Sequence, residues 1–236
     1  MSSAARRTLQ QQTRPVPPLY IGDRLTQAEF HRRYEAYDGD EKWELIGGIA
    51  YMASPQRVHH SKYEPKLSTI LCLYEEVTPG VEVLSNVTSI LSEESEPQPD
   101  LALRIVPDFG GQSKTKKGYV VGAPELVAEI AHSTVAIDMG DKKDDYEQAG
   151  VQEYMVLCVE EKELFWFDFA SRGQIAADPR GISRSRVFPG LWIDGSALIA
   201  GRLSRLLKAL NQGLASPEHA AFVKRLEAAH QKRKPR

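Results

Sequence analysis

A glutamate in the middle of an apolar segment constrains this chain more than any other feature. The segment Leu126–Ala131 reads LVAEIA, and Glu129 is its only polar residue. Side chains alternate along a strand, so Glu129 shares a face with Val127 and Ala131. A charge in an apolar run is costly unless it is paired or bound to a metal. We therefore expect an inner strand whose glutamate has a specific partner.

A second carboxylate opens the preceding apolar segment. Asp100 begins the run DLALR, in which it and Ala102 share one face and the two leucines share the other. If this strand pairs with the strand of Glu129, both carboxylates can point to one side of the sheet, near its edge. The alternative for Asp100 is a carboxylate that caps a turn.

A lysine follows these two strands on a predicted helix. Asp138 can cap the amino end of this helix, and Gly150 is its natural stop. Lys142 and Tyr146 are four residues apart and share a face, whereas Lys143 is turned away from them by about 100°. We expect Tyr146 to pack and to orient Lys142, and Lys143 to lie at the surface. Two carboxylates and an ammonium group are what metal-assisted phosphodiester cleavage needs.

The remaining pattern predicts an α/β (α+β) fold with a central mixed sheet flanked by helices. A helix that joins two strands implies a parallel crossover, and hairpins imply antiparallel pairs elsewhere. The predicted elements, in order, are a helix from Thr26, a hairpin over 43–52 with a Gly-Gly turn, a helix over 60–76, a strand over 81–91, a strand over 100–106, a loop over 107–124, the strand of Glu129, the helix of Lys142, strands over 154–159, 164–169 and 187–193, and helices over 197–211 and 217–231.

The composition is that of a globular protein with one large domain. The chain has 236 residues, of which 42% are hydrophobic, and no apolar run approaches the roughly 20 residues that cross a bilayer. The first residues contain no apolar segment of the kind found in a secretory signal. Cys72 and Cys158 are expected to be buried and reduced, which indicates a cytoplasmic protein without a membrane partner.

The charge is unevenly distributed, although the formal net charge is only −2. Residues 1–18 carry +3 and residues 217–236 carry +4, so the body between them carries about −9. An acidic body with basic ends fits a carboxylate-rich metal site with arms that touch phosphates. On charge alone a solubilising surface with frayed tails is the more usual explanation, because runs of charge are mostly solvated faces. We expect a disordered arm over 1–18, a main domain over 19–200 and a helical basic tail over 201–236.

Six short motifs follow one another along the chain in a characteristic order. They are ELIGG from Glu44, Ser54-Pro55 with a nearby histidine, PDLAL from Pro99, PELVAEI from Pro124, DMGDKKDDYEQAGVQEYMVL from Asp138, and FPGLWID from Phe188. This ordered set, which covers roughly residues 25 to 200, resembles the Uma-type putative restriction endonuclease family of the PD-(D/E)XK nuclease superfamily. The resemblance implies a restriction-endonuclease-like core, with an N-terminal helix and hairpin and with C-terminal helices.

The chain departs from the superfamily pattern at two positions. The usual lysine would stand two residues after Glu129, where this chain has Ala131. The Uma-type pattern implies that Lys142 on the next helix replaces it. The early hairpin of the family usually reads D-G-E. This chain has Gly47-Gly48-Ile49 there and so lacks both acids. Glu44 is then the remaining acid there, with a solvent-facing strand acid as the alternative.

The resemblance implies a metal-dependent endonuclease that acts on DNA. Asp100, Glu129 and the carbonyl group of Ile130 would hold Mg²⁺ or Mn²⁺, which prefer oxygen ligands. Lys142 and Glu44 complete the predicted catalytic set. His60, or else His59, is a candidate auxiliary residue together with Tyr146, although a lone histidine is more often structural. Three loop lysines are candidate DNA contacts, with ordinary surface charges as the alternative: Lys114, Lys116 and Lys117.

A second hypothesis keeps the same fold with a weak or inactive site. The chain would then serve as a DNA-binding or assembly module, because a fold alone does not settle function. The two hypotheses differ in whether Lys142 points at the carboxylates or at solvent. The oligomeric state is left open by the sequence, with a homodimer as one option.

Overall fold

Thirteen strands, seven α-helices and one short 3-10 helix (Pro107–Phe109) make up the structure, a computed structural model that describes residues 15–53 and 58–233, with the backbone alone described for 58–61. The strands are β1 (Trp43–Ile46), β2 (Ile49–Met52), β3 (Val81–Ser85), β4 (Ser89–Ile90), β5 (Leu101–Ile105), β6 (Lys114–Lys116), β7 (Tyr119–Val121), β8 (Leu126–Ala131), β9 (Glu153–Cys158), β10 (Glu163–Asp168), β11 (Gly173–Gln174), β12 (Ile182–Arg184) and β13 (Trp192–Asp194). The helices are α1 (Gln27–Tyr34), α2 (Val58–Glu76), α3 (Val135–Asp138), α4 (Asp141–Ala149), α5 (Gly195–Ile199), α6 (Leu203–Leu214) and α7 (Pro217–Arg233).

A mixed six-stranded sheet in the order β11-β10-β9-β8-β5-β3 forms the centre of the fold. Strands β8 and β9 are parallel and are joined through α3 and α4, as a crossover between parallel strands requires. The other neighbours in this sheet are antiparallel. The predicted mixed sheet with flanking helices is confirmed.

The pairing of β5 with β8 sets which residues face each other. Leu101 pairs with Ala128 and Ala102 pairs with Val127. Because residues alternate between faces, one further step in this register places Asp100 opposite Glu129 on the face of Val127. The strand pairing therefore brings the two predicted carboxylates to one side of the sheet.

Each face of the sheet is covered by helices. On one face, α2, α5, α6 and α7 form the main hydrophobic core with the inward leucines of β5 and β8. On the other face, Tyr146 of α4 packs with Val127, Ala131 and Tyr154 in a second core. Glu129 lies on this second face, since it alternates with Ile130 of the first. The helix that carries Lys142 therefore lies on the same side of the sheet as Glu129.

The N-terminal helix and hairpin form a third, smaller core around Phe30 and Leu45. Thr26 caps α1 by accepting a hydrogen bond from the backbone N–H of Glu29, as the sequence predicts. The Gly47-Gly48 turn has positive φ at both positions, 55° and 74°, which glycine tolerates without steric cost. The predicted hairpin over 43–52 is confirmed and places Glu44 on β1.

Several predicted boundaries are wrong. The strand predicted over 81–91 is split into β3 and β4, with Asn86 between them at a φ of 51°. The predicted loop over 107–124 contains the hairpin of β6 and β7, whose turn has positive φ at Lys117 and Gly118. The strand predicted over 187–193 begins only at Trp192, and the predicted helix over 197–211 is interrupted around Gly201.

The two cysteines differ in their surroundings. Cys158 is buried on β9, as predicted, but Cys72 is exposed on the outer face of α2, so the prediction of two buried cysteines is wrong for Cys72. The hydrophobic pattern of α2 places Leu71 and Tyr74 inward. Cys72 directly follows Leu71 and is turned by about 100° away from it.

Candidate active site

Asp100, directly before β5, lies beside Glu129, in the middle of β8. Both side chains are buried, at 6% and 4% exposure. The backbone N–H of Asp100 donates to Oε2 of Glu129 at 3.4 Å. The backbone N–H of Ile130 donates to Oδ2 of Asp100 at 2.7 Å. The two carboxylates are thus held side by side by the sheet itself.

Lys142 lies in the first turn of α4 and points into the protein. Its Nζ atom is 3.0 Å from Oε1 of Glu129 and 3.1 Å from Oε2 of Glu44, and the residue is only 6% exposed. The helix ends at Gly150 with a φ of 94°, as predicted. The helix-borne ammonium group therefore reaches the carboxylate of β8 across the sheet face.

Tyr146 contacts the same oxygen atom as Lys142. Its hydroxyl group donates to Oε1 of Glu129 at 2.9 Å, and its ring packs against Tyr154 with 5.1 Å between the ring centroids. Lys142 and Tyr146 occupy neighbouring turns on one helix face. The two donors fix the position of the Glu129 carboxylate from one side.

Glu44 joins the cluster from the N-terminal hairpin. While its Oε2 atom faces Lys142, its Oε1 atom accepts a hydrogen bond from the backbone N–H of Gln98 at 2.7 Å. Asp145 of α4 accepts a hydrogen bond from the backbone N–H of Gly47 at 2.8 Å. This contact fixes the helix against the hairpin turn and keeps Glu44 and Lys142 together.

Asp138 is a member of the cluster that the sequence did not reveal as one. The predicted helix cap at Asp138 is wrong, because α4 begins after Gly140 and Asp138 is the last residue of α3. The buried Asp138 carboxylate accepts a hydrogen bond from the hydroxyl group of Thr134 at 2.5 Å and lies 3.7 Å from Nζ of Lys142. Its i, i+4 spacing from Lys142 was the available signal.

The cluster contains more carboxylates than cations. Burial raises the pKa of Glu129 to about 8; Lys142 opposes this, while Asp100, Asp138 and Glu44 reinforce it. Burial also raises the pKa of Asp138, against the opposing effect of Lys142. Burial alone would lower the pKa of Lys142, but Glu129, Glu44 and Asp138 together raise it well above its ordinary value. The lysine is therefore charged, and the carboxylates around it outnumber this single cation.

A divalent cation fits this excess of carboxylates over cations and these oxygen ligands. Among the side chains of residues 15–53 and 62–233, no group of three or more His, Cys, Asp and Glu residues forms a cage that could hold a metal ion. Mg²⁺ does not need such a cage, since it keeps several waters and binds through one or two carboxylates. Asp100 and Glu129 can supply two carboxylates, and the carbonyl group of the adjacent Ile130 belongs to the same strand.

The other predicted site residues lie apart from this cluster or outside the described side chains. Lys114, Lys116 and Lys117 are exposed on the hairpin of β6 and β7. Lys143 is 24% exposed and turned away from Glu129. The predictions for His59 and His60 fall on side chains outside the described part of the structure.

The fold and the family can both be compared with known proteins. A solved structure of a "putative nuclease belonging to DUF820" from Anabaena variabilis has a similar fold, with a TM-score of 0.56 over 79% of this chain and 99% of that chain. The two sequences are 12% identical, so the likeness defines a nuclease-like fold. The family model of Uma2, described as "Putative restriction endonuclease", matches residues 27–198. The chain belongs to the Uma2 family.

No curated protein matches the chain. Within the described residues, no helix combines the length and the apolar character that a membrane span requires.

Proposed function

We propose that this chain is a metal-dependent endonuclease that hydrolyses phosphodiester bonds in DNA. The observation that carries the proposal is the buried ammonium group of Lys142, which lies 3.0 Å from the Glu129 carboxylate although the chain has alanine at the usual lysine position. Burying an ammonium group costs free energy, and this cost is offset where carboxylates or a developing transition state interact with its charge. Family membership supports a nuclease, and the site supplies the residues for one.

Each residue of the cluster has a distinct role in this proposal. Asp100, Glu129 and the Ile130 carbonyl group would hold Mg²⁺ or Mn²⁺, and the ion would supply charge neutralisation at the scissile phosphate and a more acidic water. Lys142 stabilises the negative charge that develops in the transition state. Tyr146 holds Glu129 in position, and Glu44 holds Lys142.

The substrate contacts follow from charge. The exposed hairpin lysines at 114, 116 and 117 contact DNA phosphates, and such contacts make binding weaken as salt is raised. A cytoplasmic setting is part of the proposal, and the buried Cys158, which forms no disulfide, fits it. A homodimer is one option for the oligomeric state, and light scattering would distinguish it from a monomer.

One observation favours a second candidate, a nuclease-fold module that binds DNA without cutting it. Lys142 already neutralises part of the charge of Glu129 and Glu44, so the cluster has cationic compensation without a metal. In this alternative the ion pairs only stabilise the fold. The difference between the two candidates is therefore whether a divalent ion binds and cleavage follows.

The test is incubation of the purified protein with supercoiled plasmid and with single-stranded DNA. We expect nicking or cutting with Mg²⁺ or Mn²⁺ and none with EDTA. In parallel, titration of the ion should raise the melting temperature, because a ligand that binds only the folded state stabilises it. Glu129→Ala should remove that shift, with Glu163→Ala on the exposed end of β10 as a matched control.

The outcomes separate the candidates. A melting shift that survives in Glu129→Ala would place the ion elsewhere. A wild-type protein that binds plasmid but leaves it intact under every metal condition would support the binding module.

A further inference from the structure

An open cleft lies on the outer side of α4, next to the candidate active site. It has a volume of about 480 Å³, within the range of small-molecule sites. It lies between α4 and the edge formed by β10 and β11. Its lining residues are Lys143, Glu147, Phe167, Phe169, Arg172, Gly173 and Gln174.

The cleft combines aromatic rings with positive charge. The Lys143 ammonium group lies 5.2 Å from the ring centroid of Phe167 and 5.7 Å from that of Phe169. Arg172 is exposed on the turn between β10 and β11, and within the described residues it has no carboxylate partner. Glu147 is the one acid in the lining, and it is 4.0 Å from Lys143 at closest. The lining therefore carries a net positive charge.

A continuous set of ring contacts connects the cleft to the cluster around Glu129. Phe167 and Phe169 lie 6.3 Å and 6.2 Å from Tyr154, measured between ring centroids. Tyr154 in turn packs against Tyr146, whose hydroxyl group donates to Glu129. The cleft and the candidate active site thus share one sheet face and one helix, with Lys143 directly after Lys142.

We propose that this cleft binds an unpaired nucleotide of the DNA strand, an inference that rests on the proposed nuclease function. The base stacks on Phe167 and Phe169, and the phosphate contacts Lys143 and Arg172. Aromatic faces beside cationic side chains are how proteins hold single-stranded nucleic acid without reading its sequence. Lysine has a flexible stem, so its ammonium group can leave the rings for a phosphate when a base enters.

The position of the cleft suits a substrate that is locally unpaired. A base inside a duplex presents only its edges, whereas a base that stacks on a protein ring must leave its own stack. We therefore expect the chain to prefer single strands, frayed ends or flaps over continuous duplex.

Binding can be measured without cleavage, by fluorescence anisotropy of a labelled 12-nucleotide oligothymidylate in EDTA. Phe167→Leu should weaken binding about fivefold or more, the effect of losing one stacked base. The matched control is Phe165→Leu, on the same strand and face but outside the cleft, which should stay within about twofold. A 12-residue abasic oligomer should bind the wild type and Phe167→Leu with equal affinity.

The charged residues are tested by salt dependence. Lys143→Ala and Arg172→Gln should each reduce the slope of log affinity against log salt, by the amount expected for the loss of about one phosphate contact. Lys208→Ala, an exposed lysine on α6, should leave the slope unchanged. The two charge variants lie at partly or fully exposed positions, so they keep the test valid if Phe167→Leu does not fold.

The outcomes distinguish this cleft from the nuclease proposal. Three results would each overturn the proposal that the cleft binds a nucleotide. They are equal affinities of Phe167→Leu and Phe165→Leu, equal wild-type affinity for the abasic and thymidylate oligomers, and binding of duplex alone. If these occur in a protein that cuts plasmid, the nuclease proposal stands. If the cleft variants behave as expected in a protein that never cuts DNA, the cleft stands and the nuclease proposal falls.

Discussion

At the scale of single residues, one ammonium group organises the site. Lys142 faces three carboxylates from three parts of the chain: Glu44 from the hairpin, Glu129 from β8 and Asp138 from α3. Removing one partner of a buried ion pair leaves an uncompensated charge and typically costs about 3–5 kcal/mol. The stability and the chemistry of the site therefore depend on the same contacts.

The raised pKa of Glu129 predicts how stability depends on pH in the metal-free protein. The pKa of Glu129 is raised from 4.5 to about 8, so between these values the folded chain holds a proton that the unfolded chain has released. Stability should therefore be greatest below this window and fall as pH rises through it, by at most about 1.4 kcal/mol per pH unit. Urea unfolding in EDTA at several pH values measures this slope.

Glu129→Gln provides the control for that measurement. The glutamine cannot ionise, so the fall in stability between pH 5 and 8 should flatten, whereas Glu163→Gln at an exposed position should keep the wild-type slope. A Glu129→Gln protein with an undiminished slope would assign the proton to another group.

At the scale of elements, the sequence predicts what local periodicity determines. The face of Glu129 on β8 follows from alternation, and the shared face of Lys142 and Tyr146 follows from helical spacing. The hairpin turn follows from two glycines that accept positive φ. These features depend on residues close together in sequence, and for that reason they could be predicted.

The features that sequence reasoning missed depend on contacts between distant residues. In the sequence Asp138 resembles a helix cap. Only the packing of α3 against β8 brings its carboxylate into the cluster around Lys142. Strand β4 separates from β3 because it pairs with β7, about 30 residues further along. The aromatic cleft is likewise assembled from α4 and β10, which no local pattern connects.

Glu153 is a further long-range contact that the sequence did not indicate. It opens β9 and is fully buried, and its Oε1 atom accepts hydrogen bonds from the backbone N–H groups of Arg186 and Val187, at 2.6 and 3.0 Å. Its Oε2 atom accepts from the Ser185 hydroxyl group at 2.7 Å and from the Trp166 indole at 3.1 Å. One carboxylate thus fixes the whole 185–187 loop.

Glu153→Ala should therefore destabilise the protein substantially. Two buried and two partly buried donors lose their acceptor, and we expect a loss of about 2–4 kcal/mol in the free energy of unfolding. Urea unfolding measures it, and Glu163→Ala on the neighbouring strand should change stability by about 0.5 kcal/mol or less. A Glu153→Ala protein as stable as that control would show that the loop does not need its carboxylate.

At the scale of the whole molecule, the helices after residue 200 are part of the main core. Leu206 and Leu210 of α6 and Phe222 and Leu226 of α7 are buried against α2 and the sheet. The segment after the predicted boundary at residue 200 therefore shares one hydrophobic core with the sheet and α2. The basic residues of α7 lie on its exposed side, as the amphipathic pattern requires.

The two ends of the chain should respond differently to change. Phe222→Ala should lower the free energy of unfolding by about 3–5 kcal/mol, because it leaves a cavity in the main core. Deletion of residues 1–18 should leave the melting transition nearly unchanged, since the described part of this segment, 15–18, is exposed and the first buried residue is Leu19. Thermal melts of both variants measure this, and an unfolded deletion variant would place the N-terminal segment in the core.

The proposed mechanism depends most on Lys142, whose charge is aimed at the reacting phosphate. The most direct measurement is the rate of plasmid cleavage by Lys142→Ala at saturating DNA and Mg²⁺, beside wild type and Lys143→Ala of equal folding. Lys142→Ala should lose about 10²–10³ in rate while the ion still raises its melting temperature, because Asp100 and Glu129 remain. Lys143→Ala should bind DNA more weakly but reach the wild-type rate at saturation. Equal rates in the two variants would contradict a helix-borne catalytic lysine and, with it, the proposed mechanism.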